Sequence, residues 1–500
     1  MNTGNSLPDN SLLAAPLPPG MAADGAPVHP VDPPMPADPN SERIDRDNLP
    51  VPQTLGEAAG EVFRVAIPLM VSTGMFSLVL FADRTLLMFY DGLSMSASMA
   101  GGNVFWGMVC VPVGAASMTG ATIGQLIGNA ERDKVGRLLW QSVWLSLLTV
   151  PWFIAAAFFA ESIFRWTGQP AELLAAEASY LRWLMLGGLG LVIESALSGF
   201  FSGTERTSVI MWVSVASGVL NVVLDVLLIF GLFGFPEWGI VGAALASAVS
   251  FWFKVVCYAA ILSRKEFELR YRIRGGFAID TGMMKSFLYF SIPSGLMYLT
   301  EAGAFLIVIL KIGQLGDVPL RATAMAINFN MMAFIPLVGI AISASVLVGR
   351  HLLQNGAPFA VRTTLASLLI ALAYSLFWMA AYLLAGDFLL SLYALGEPDE
   401  ASRQAMVLAS GLLGFVASYM LFDAVQLILG AALKGAGDTW YVLAAGGATS
   451  AVAISTGLVF DSGTRGLNWW WWVVTGWVWA LAIMMTVRFV GGRWKSMRMV

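Results

Sequence analysis

Charged residues are scarce in this sequence, because lysine, arginine, aspartate and glutamate together make up only 12% of its 500 residues. Soluble domains carry about 25%, so this composition excludes an ordinary water-soluble globular protein. Hydrophobic residues reach 57%, and the mean hydropathy is +0.73. They come in long runs such as Val255–Leu262 and Ala366–Ala373, and a helix of roughly 20 apolar residues spans a bilayer. The sequence therefore predicts a polytopic membrane protein.

Cysteine and histidine are almost missing as well. The two cysteines, Cys110 and Cys257, lie inside apolar runs, where we expect packed small side chains rather than a disulfide or a metal site. His29 and His351 are the two histidines, too few for zinc chemistry or a histidine-based triad. No GxxxxGK[ST] motif occurs, so ATP is not expected to drive this chain directly. We expect neither an enzyme nor a cofactor, and no nucleic-acid partner.

Twelve apolar stretches are long enough to cross a membrane. They predict an all-α polytopic membrane protein with twelve transmembrane helices in two six-helix lobes. The stretches lie near residues 64–88, 103–127, 138–160, 180–203, 208–231, 240–263, 286–310, 322–348, 363–385, 405–433, 440–460 and 467–490.

Positive charge predicts the orientation, because lysine and arginine accumulate in cytoplasmic loops. With the first residue in the cytoplasm, 20 of these residues fall on the cytoplasmic side and six on the other. We therefore expect both termini in the cytoplasm. The chain divides into a disordered proline-rich cytoplasmic tail, an N-lobe, a basic cytoplasmic linker, a C-lobe and a short basic cytoplasmic C-terminus, at residues 1–55, 60–263, 264–285, 286–490 and 491–500. The linker is interpreted as a solvated loop.

The two halves repeat at a nearly constant offset. Three pairs of identical residues, one member in each half, are the same number of positions apart, and this number is here called the repeat offset. The pairs are Pro68 and Pro293, Gly124 and Gly349, and Arg137 and Arg362. Such an order indicates duplication and two lobes related by a pseudo-two-fold axis along the membrane normal, an arrangement that suits alternating access. Pro68 and Pro293 fall early in helices one and seven, and a proline inside a helix frees a carbonyl, so both are interpreted as bending points.

Isolated acids inside apolar stretches are the candidate functional residues, since a charge at mid-bilayer costs about 2.5–3.5 kcal/mol and tends to be functional. Four acids lie isolated within apolar stretches: Asp83, Asp225, Glu301 and Asp423. Asn221 lies one helical turn before Asp225, and Tyr419 one turn before Asp423, so each pair shares a helix face. Such a pair suits an Na⁺ site or a protonatable acid, and a polar contact that joins two helices is the alternative.

Two further charges in apolar stretches are Glu194 and Lys254. We interpret both as structural. The alternative for Lys254 is a counter-charge to the acids of the first half, which would argue against a simple cation site in the N-lobe.

Three long stretches are similar to one family of transporters. They are "NVVLDVLLIFGLFGFPEWGIVGAALAS" (Asn221–Ser247), "AMAINFNMMAFIPLVGIAISASVLVGR" (Ala324–Arg350) and "DAVQLILGAALKGAGDT" (Asp423–Thr439). The chain resembles the MATE family of multidrug and toxic compound extrusion transporters, in its NorM-like branch, over about residues 60–490. The resemblance implies a central cavity between two lobes and export of organic cations in exchange for Na⁺ or H⁺.

The resemblance also implies residue roles. In the C-lobe it assigns cation or proton coupling to Glu301, Asp423, Tyr419 and Asn328, with Glu301 and Asp423 as ligands of a coupling Na⁺. In the N-lobe it assigns the same role to Asp83, Asn221, Asp225 and Ser247, the last at a position where a threonine is usual. Lys254 and Leu353 depart from the family pattern, and acids in both lobes leave the coupling site open.

The leading prediction is a secondary active antiporter that exports organic cations or amphipathic drugs in exchange for Na⁺ or H⁺. We expect a monomer, surrounded by lipid, in the bacterial inner membrane. One alternative is a flippase for a lipid-linked saccharide, which should line its cavity with basic residues to hold pyrophosphate. The other is a membrane scaffold without transport, which has no need of duplicated lobes with acids in both.

Overall fold

The computed structural model describes residues 52–166, 171–391, 400–461 and 466–499. Within these ranges, twelve helical spans are long and apolar enough to cross a membrane, which confirms the predicted fold class. The N-lobe contains α1 (Leu55–Tyr90), α2 (Gly92–Gly128), α3 (Val135–Leu147), α4 (Val150–Phe158), α5 (Ala160–Trp166), α6 (Ala171–Gly203), α7 (Thr207–Phe230) and α8 (Ile240–Leu262). After α9 (Lys265–Tyr271), the C-lobe contains α10 (Thr281–Gly313), α11 (Asp317–Gln354), α12 (Ala357–Ser391), α13 (Glu400–Ala436), α14 (Thr439–Val459) and α15 (Gly466–Val490).

Helix α1 begins earlier than the apolar pattern predicts. Thr54 accepts a hydrogen bond from the backbone N–H of Glu57, and the Glu57 carboxylate accepts one from the backbone of Thr54. This capping box supplies partners for N–H groups that the helix itself leaves unpaired. The Pro52 carbonyl accepts a 2.6 Å hydrogen bond from Arg362 of the C-lobe. The last residues of the predicted tail therefore belong to the fold, while residues 1–51 lie outside the described part.

The contact surface between the lobes, here called the seam, repeats with the sequence. A Cβ on Gly339 of α11 would lie 2.6 Å from the backbone nitrogen of Met70 in α1. A Cβ on Gly114 of α2 would lie 2.8 Å from the Cα of Gly295 in α10. Gly114 is one repeat offset from Gly339, and Gly295 is one repeat offset from Met70. The same contact thus forms twice with the lobes exchanged, as a two-fold axis requires.

A second symmetric contact explains one of the repeated pairs in the sequence. A Cβ on Gly124 would lie 2.7 Å from the carbonyl oxygen of Val346, and one on Gly349 would lie 3.1 Å from that of Ala121. Ala121 and Val346 are themselves one repeat offset apart. Glycine at 124 and 349 therefore lets α2 and α11 approach backbone to backbone.

The lobes touch along one half of their helices and part along the other. Gly107 lies two turns before Gly114 on the same face of α2, and a Cβ on Gly107 would meet nothing within 4 Å. At the opposite end of α2, a Cβ on Gly128 would lie 2.3 Å from the Arg350 carbonyl. The seam is therefore closed toward the ends rich in lysine and arginine and open at the other ends.

Buried polar pairs reinforce the closed half of the seam. Arg350 of α11 forms an ion pair with Glu205, which follows α6, and both side chains are buried. His351 Nε2 lies 2.9 Å from Glu61 of α1. Because the partners come from different lobes, separation of the lobes here would have to break both contacts.

Prolines mark the seam in both lobes. Pro68 and Pro293 are buried inside α1 and α10, which continue past them. A second pair of helix-internal prolines, Pro112 in α2 and Pro336 in α11, was not predicted. The number of positions between these two prolines is one less than the repeat offset. Each of these four prolines lies within three residues of a seam glycine or of the residue that such a glycine contacts in the other lobe. Bending at Pro68 and Pro293 stays a prediction.

The interpretation of the linker as a solvated loop is wrong. Phe267 and Tyr271 of α9 are 2% and 1% exposed and pack edge-on against Phe200 at the end of α6. The two aromatic residues are four apart, so they share one face of the helix while the charged residues of "KEFELRYR" point elsewhere. Trp140 of α3 also donates a 2.7 Å hydrogen bond to the Ile273 carbonyl. The linker is thus fastened to the N-lobe.

The linker ends in a cap for α10. Asp280 accepts hydrogen bonds from the backbone N–H groups of Met283 and Gly282, at 3.0 and 3.1 Å. Its other carboxylate oxygen lies 3.3 Å from Arg137 of α3. The Met283 N–H, with Arg137 and Gly282, holds the pKa of Asp280 below its ordinary value, because these groups stabilise the charged carboxylate.

Candidate functional site

Four of the predicted N-lobe residues lie together in the structure. Asp83 of α1, Asn221 and Asp225 of α7, and Ser247 of α8 are all buried and are here called the N-lobe cluster. The Ser247 hydroxyl donates to Asp83 at 3.2 Å. With its nitrogen turned toward the acids, the Asn221 amide donates to Asp83 at 2.9 Å and to Asp225 at 3.2 Å, while its oxygen accepts from the Ser247 N–H at 3.3 Å.

The chemistry of the N-lobe cluster depends on its two carboxylates. The carboxylates of Asp83 and Asp225 both accept from the Asn221 nitrogen, so the two acids lie close together. Two carboxylates at this separation do not both remain charged without a proton or a cation to offset them. Among the described residues, Asp225 Oδ1 is buried and has no hydrogen-bond partner. The N-lobe cluster therefore offers a free oxygen atom to a proton or a monovalent cation.

A cavity of about 40 Å³ adjoins the N-lobe cluster. It lies between α1, α7 and α8 and is here called the N-lobe cavity. Asp83, Asn221 and Ser247 form part of its polar wall, and Met75, Phe76 and Phe251 form part of its apolar wall. Such a mixture suits a flat, amphipathic molecule.

Lys254 also lines the N-lobe cavity. Its ammonium nitrogen lies 3.8 Å from the Glu194 carboxylate of α6, and the two side chains are 14% and 12% exposed. The structure therefore places the two residues that sequence analysis interpreted as structural beside each other, one of them in the cavity wall.

Glu301 and Asp423 are here called the C-lobe pair. Glu301 of α10 is half-buried and lies within electrostatic range of Asp423 and of Lys434 of α13. Asp423 is buried, and its Oδ1 atom accepts a 2.9 Å hydrogen bond from Gln426 one turn later. The C-lobe pair therefore has fewer hydrogen-bond donors around it than the N-lobe cluster.

Tyr419 and Asn328 occupy different surroundings from each other. Tyr419 is buried and lines a second cavity of about 40 Å³, here called the C-lobe cavity, together with Trp471 of α15 and Asn330 of α11. Asn328 is exposed and does not line the C-lobe cavity. Asn330 therefore lies with Tyr419 in the C-lobe cavity, and the coupling role assigned to Asn328 stays a prediction.

Three residues near these acids escaped sequence analysis. Tyr180 of α6 lies within electrostatic range of Asp83 and Asp225, and Gln426 and Lys434 accompany the C-lobe pair. The i, i+3 spacing of Asp423 and Gln426 on one helix was a usable signal. Tyr180 gave none, because an aromatic residue in an apolar helix is ordinary packing.

No group of three or more histidine, cysteine, aspartate or glutamate side chains placed to hold a metal ion occurs in residues 52–166, 171–391, 400–461 or 466–499. The Na⁺ site assigned to Glu301 and Asp423 stays a prediction.

Two lobes of six membrane helices each, related by a two-fold axis, with acids inside the apolar helices of both lobes and a cavity beside the acids of the N-lobe, define the class of two-lobed membrane transporters. The MatE family model matches the chain twice, at residues 68–227 and 293–459. These matches cover more than half of the sequence, and they begin at Pro68 and Pro293, a pair that defines the repeat offset. The chain belongs to the MatE family of multidrug efflux transporters.

Named relatives agree with this assignment. "Probable multidrug resistance protein NorM" of Burkholderia mallei is 28% identical over 449 residues, which cover 88% of this chain and 94% of the relative. The protein of the same name from Xanthomonas campestris pv. campestris is 26% identical over 386 residues, covering 75% of this chain and 81% of the relative.

Solved structures share the fold. A crystal structure titled "MATE in complex with MaL6" superimposes with a TM-score of 0.79 at 22% identity, covering 87% of this chain and 96% of the other. That of the eukaryotic MATE transporter AtDTX14 gives a TM-score of 0.78 at 18% identity, covering 88% and 97%. The predicted family, the two-lobed fold and the multi-pass membrane character are thereby confirmed.

Proposed function

We propose that this chain is a secondary antiporter that exports organic cations or amphipathic drugs in exchange for Na⁺ or H⁺. The observation that carries the proposal is the N-lobe cluster, in which two buried carboxylates share Asn221 as a donor and adjoin a cavity between the helices of the N-lobe. A proton or Na⁺ at these carboxylates changes the charge of the cavity wall, so ion binding and substrate binding oppose each other there. The C-lobe pair is a second site at which a coupling ion acts.

The state of the seam supports alternating access. The lobes are closed at the ends rich in lysine and arginine, where Gly128 meets Arg350, and open at Gly107. With the basic ends in the cytoplasm, this is the conformation that has released substrate outward and binds the coupling ion. Opening of the other side requires the Arg350–Glu205 and His351–Glu61 contacts to separate.

We place the protein in the bacterial inner membrane as a monomer surrounded by lipid, with both termini in the cytoplasm. The distribution of lysine and arginine supports the orientation. The bacterial NorM relatives support the membrane.

The flippase alternative is weaker, because a site for pyrophosphate needs several cations. Lys254 is the one basic residue among the described lining residues of the N-lobe cavity, against Asp83 in the same wall and Asp225 behind it. The described C-lobe cavity has no charged lining residue. A membrane scaffold without transport would not need two duplicated lobes that close against each other along a seam.

Transport in inside-out membrane vesicles tests the proposal. The lumen is loaded with Na⁺ or with acid, separately, and uptake of a fluorescent organic cation is followed. We expect uptake with one of the two gradients and its loss in Asp83→Asn. Glu131→Gln is the matched control, since Glu131 is an acid in a surface turn paired with Lys134, and it should transport as the wild type does. Absence of uptake with either gradient would refute the antiport mechanism.

A further inference from the structure

The chain after α15 turns back onto the basic ends of both lobes. Gly492 follows the end of α15 and has a φ of 72°, a left-handed conformation that glycine adopts without a steric penalty. In the residues after it, here called the segment 493–499, Trp494 and Met499 are 0% and 4% exposed. The segment also contains three exposed cations, Arg493, Lys495 and Arg498. It therefore turns its two large apolar side chains toward the protein and its charges toward water.

Trp494 anchors the segment 493–499 on the C-lobe. Its indole N–H donates a 2.8 Å hydrogen bond to the Phe489 carbonyl near the end of α15, and its ring stacks on that of Phe489 with 4.9 Å between the centroids. Trp494 also belongs to an apolar cluster with Leu433 of α13 and Met485 of α15, both of them buried. Because the ring is fully buried and its N–H has a partner, we expect the segment to move with the C-lobe.

Met499 extends from this anchor to the N-lobe. Its backbone N–H donates to the Gln125 side chain of α2 at 2.8 Å, and its carbonyl accepts from the Ser286 hydroxyl of α10 at 3.0 Å. Gln125 also donates through its amide nitrogen to the Gly435 carbonyl of α13 at 2.9 Å. Met499 is thus bonded to both lobes, and it shares Gln125 with a direct contact between them.

The Met499 side chain lies between the same helices. Its sulfur lies 3.9 Å from the Thr122 hydroxyl of α2, and a Cβ on Gly437, which follows α13, would lie 3.1 Å from its Cγ. Thr122 belongs to the N-lobe and Gly437 to the C-lobe. Separation of the lobes at this point would therefore expose an apolar side chain to water as well as break hydrogen bonds.

The end of the N-lobe differs from the end of the C-lobe in this respect. Helix α9 follows the last helix of the N-lobe, as the segment 493–499 follows α15. Its buried residues Phe267 and Tyr271 pack against Phe200 of the same lobe, whereas Met499 is bonded to both lobes. The contacts of the segment 493–499 therefore lie outside the symmetric contacts of the seam, so they can be weakened without changing the glycines that form it.

We infer that the segment 493–499 is a latch that holds this side of the seam closed. Opening here moves Gln125 away from Ser286, so at least one of the two bonds to Met499 must break. The latch therefore stabilises the present conformation relative to the one open toward the basic ends, and its strength sets the ratio of the two. This inference rests on the alternating access in the proposed function, and it names an element that biases the equilibrium.

Spin labels at Asn129→Cys and Pro358→Cys, exposed positions in opposite lobes, measure the opening in lipid vesicles, in a chain without native cysteines. Long inter-label distances report the conformation that is open toward the basic ends. Ser286→Ala removes the hydroxyl that donates to Met499, and it should raise the ratio of long to short distances about fivefold, the factor that one net hydrogen bond contributes to an equilibrium. Met499→Ala keeps the backbone bonds and removes the apolar side chain between the lobes, so we expect a rise of about tenfold.

Two further variants complete the comparison. Ser496→Ala is the matched control, since the Ser496 hydroxyl donates to the Arg493 carbonyl inside the segment at 3.1 Å, and it should keep the wild-type ratio. Gln125→Ala removes the bond to Met499 together with the direct bond to Gly435, so it should raise the ratio more than Ser286→Ala does.

The latch is overturned if either Ser286→Ala or Met499→Ala keeps the wild-type ratio, even when Gln125→Ala raises it. It is also overturned if Ser496→Ala raises the ratio as much as they do. A failure of the proposed function is seen separately. Wild-type vesicles that show no ion-driven uptake refute the antiport mechanism, while the distance ratios still decide the latch.

Discussion

Helices α1 and α10 correspond to each other in the two lobes, but their acids lie at different positions of the repeat. One repeat offset relates Glu301 of α10 to Phe76 of α1, and Asp83 of α1 to Val308 of α10. Phe76 and Asp83 line the N-lobe cavity, and Val308 lines the C-lobe cavity. Within its apolar stretch each of the two helices therefore has one carboxylate, but the two carboxylates are separated by two helical turns along the repeat.

This difference shows that the duplication preserved the seam and not the sites. Gly114 and Gly339 make the same backbone contact in both lobes, because any side chain there would separate the helices. The acids are free of that constraint. In the N-lobe the acids are joined by Asn221 and Ser247, whereas Asp423 has the single described donor Gln426. We therefore expect the N-lobe cluster to be the more sensitive of the two.

Asp83→Asn should have the largest effect. The amide keeps the volume of the carboxylate and removes the charge that a coupling ion offsets, so ion-driven uptake should fall at least about 100-fold. Initial rates in vesicles with equal amounts of inserted protein measure it. A rate within a factor of two of the wild type would remove the N-lobe cluster from the mechanism.

Asp423→Asn should reduce uptake about tenfold or more, which is less than Asp83→Asn. Because Glu301 lies within electrostatic range of Asp423, Glu301→Gln/Asp423→Asn should be little worse than either single change. Initial rates of the three variants decide this. Wild-type uptake by Asp423→Asn would refute the role of the C-lobe pair, and independent, multiplying losses would show that the two acids do not share a site.

Ser247→Ala should reduce uptake by a few-fold, because it removes the hydroxyl that donates to Asp83 and leaves the rest of the N-lobe cluster in place. Ser250→Ala is the matched control on the same helix, since the Ser250 hydroxyl lines the cavity but makes no described hydrogen bond. The two variants are compared by their uptake rates. Equal losses would mean that the cavity wall, rather than the bond to Asp83, is what matters.

Asn330→Ala should have the smallest effect, roughly twofold on uptake, and Asn328→Ala a still smaller one. Asn330 lines the C-lobe cavity with Tyr419, whereas Asn328 is exposed. The apparent KM of an aromatic cation distinguishes them. A larger change for Asn328→Ala would favour the residue that sequence analysis selected.

Features that depend on neighbouring residues along the chain could be predicted from the sequence. Apolar length predicted the twelve spans. The N-lobe cluster could be anticipated because Asn221 and Asp225 share a helix face, and the family resemblance added Asp83 and Ser247. In the C-lobe the resemblance indicated Asn328, whose role stays a prediction, and the structure adds Asn330 as a lining residue of the C-lobe cavity. Two asparagines two residues apart point in nearly opposite directions on a helix, so they have different surroundings.

Sequence reasoning failed where long-range packing decides. The basic residues of the linker indicated solvent, yet Phe267 and Tyr271 bury it against α6. The segment 493–499 has the composition of a basic chain end, although Trp494 and Met499 are buried in the fold. Short segments of mixed charge and aromatic residues are ambiguous, because their burial depends on a partner surface that lies far away in the chain.

The glycine contacts of the seam have a kinetic consequence. At Gly295 and Gly339 the neighbouring atoms of the other lobe are backbone atoms, so no long side chain has to withdraw at these two glycines before the helices can move past each other. Gly295→Ala would place a methyl group 2.2 Å from the Val111 carbonyl, and Gly303→Ala, further along the same helix, meets open space. The two lobes should therefore move past each other with little steric hindrance at these glycines. Transport turnover should slow most in variants that add a methyl group to this contact surface.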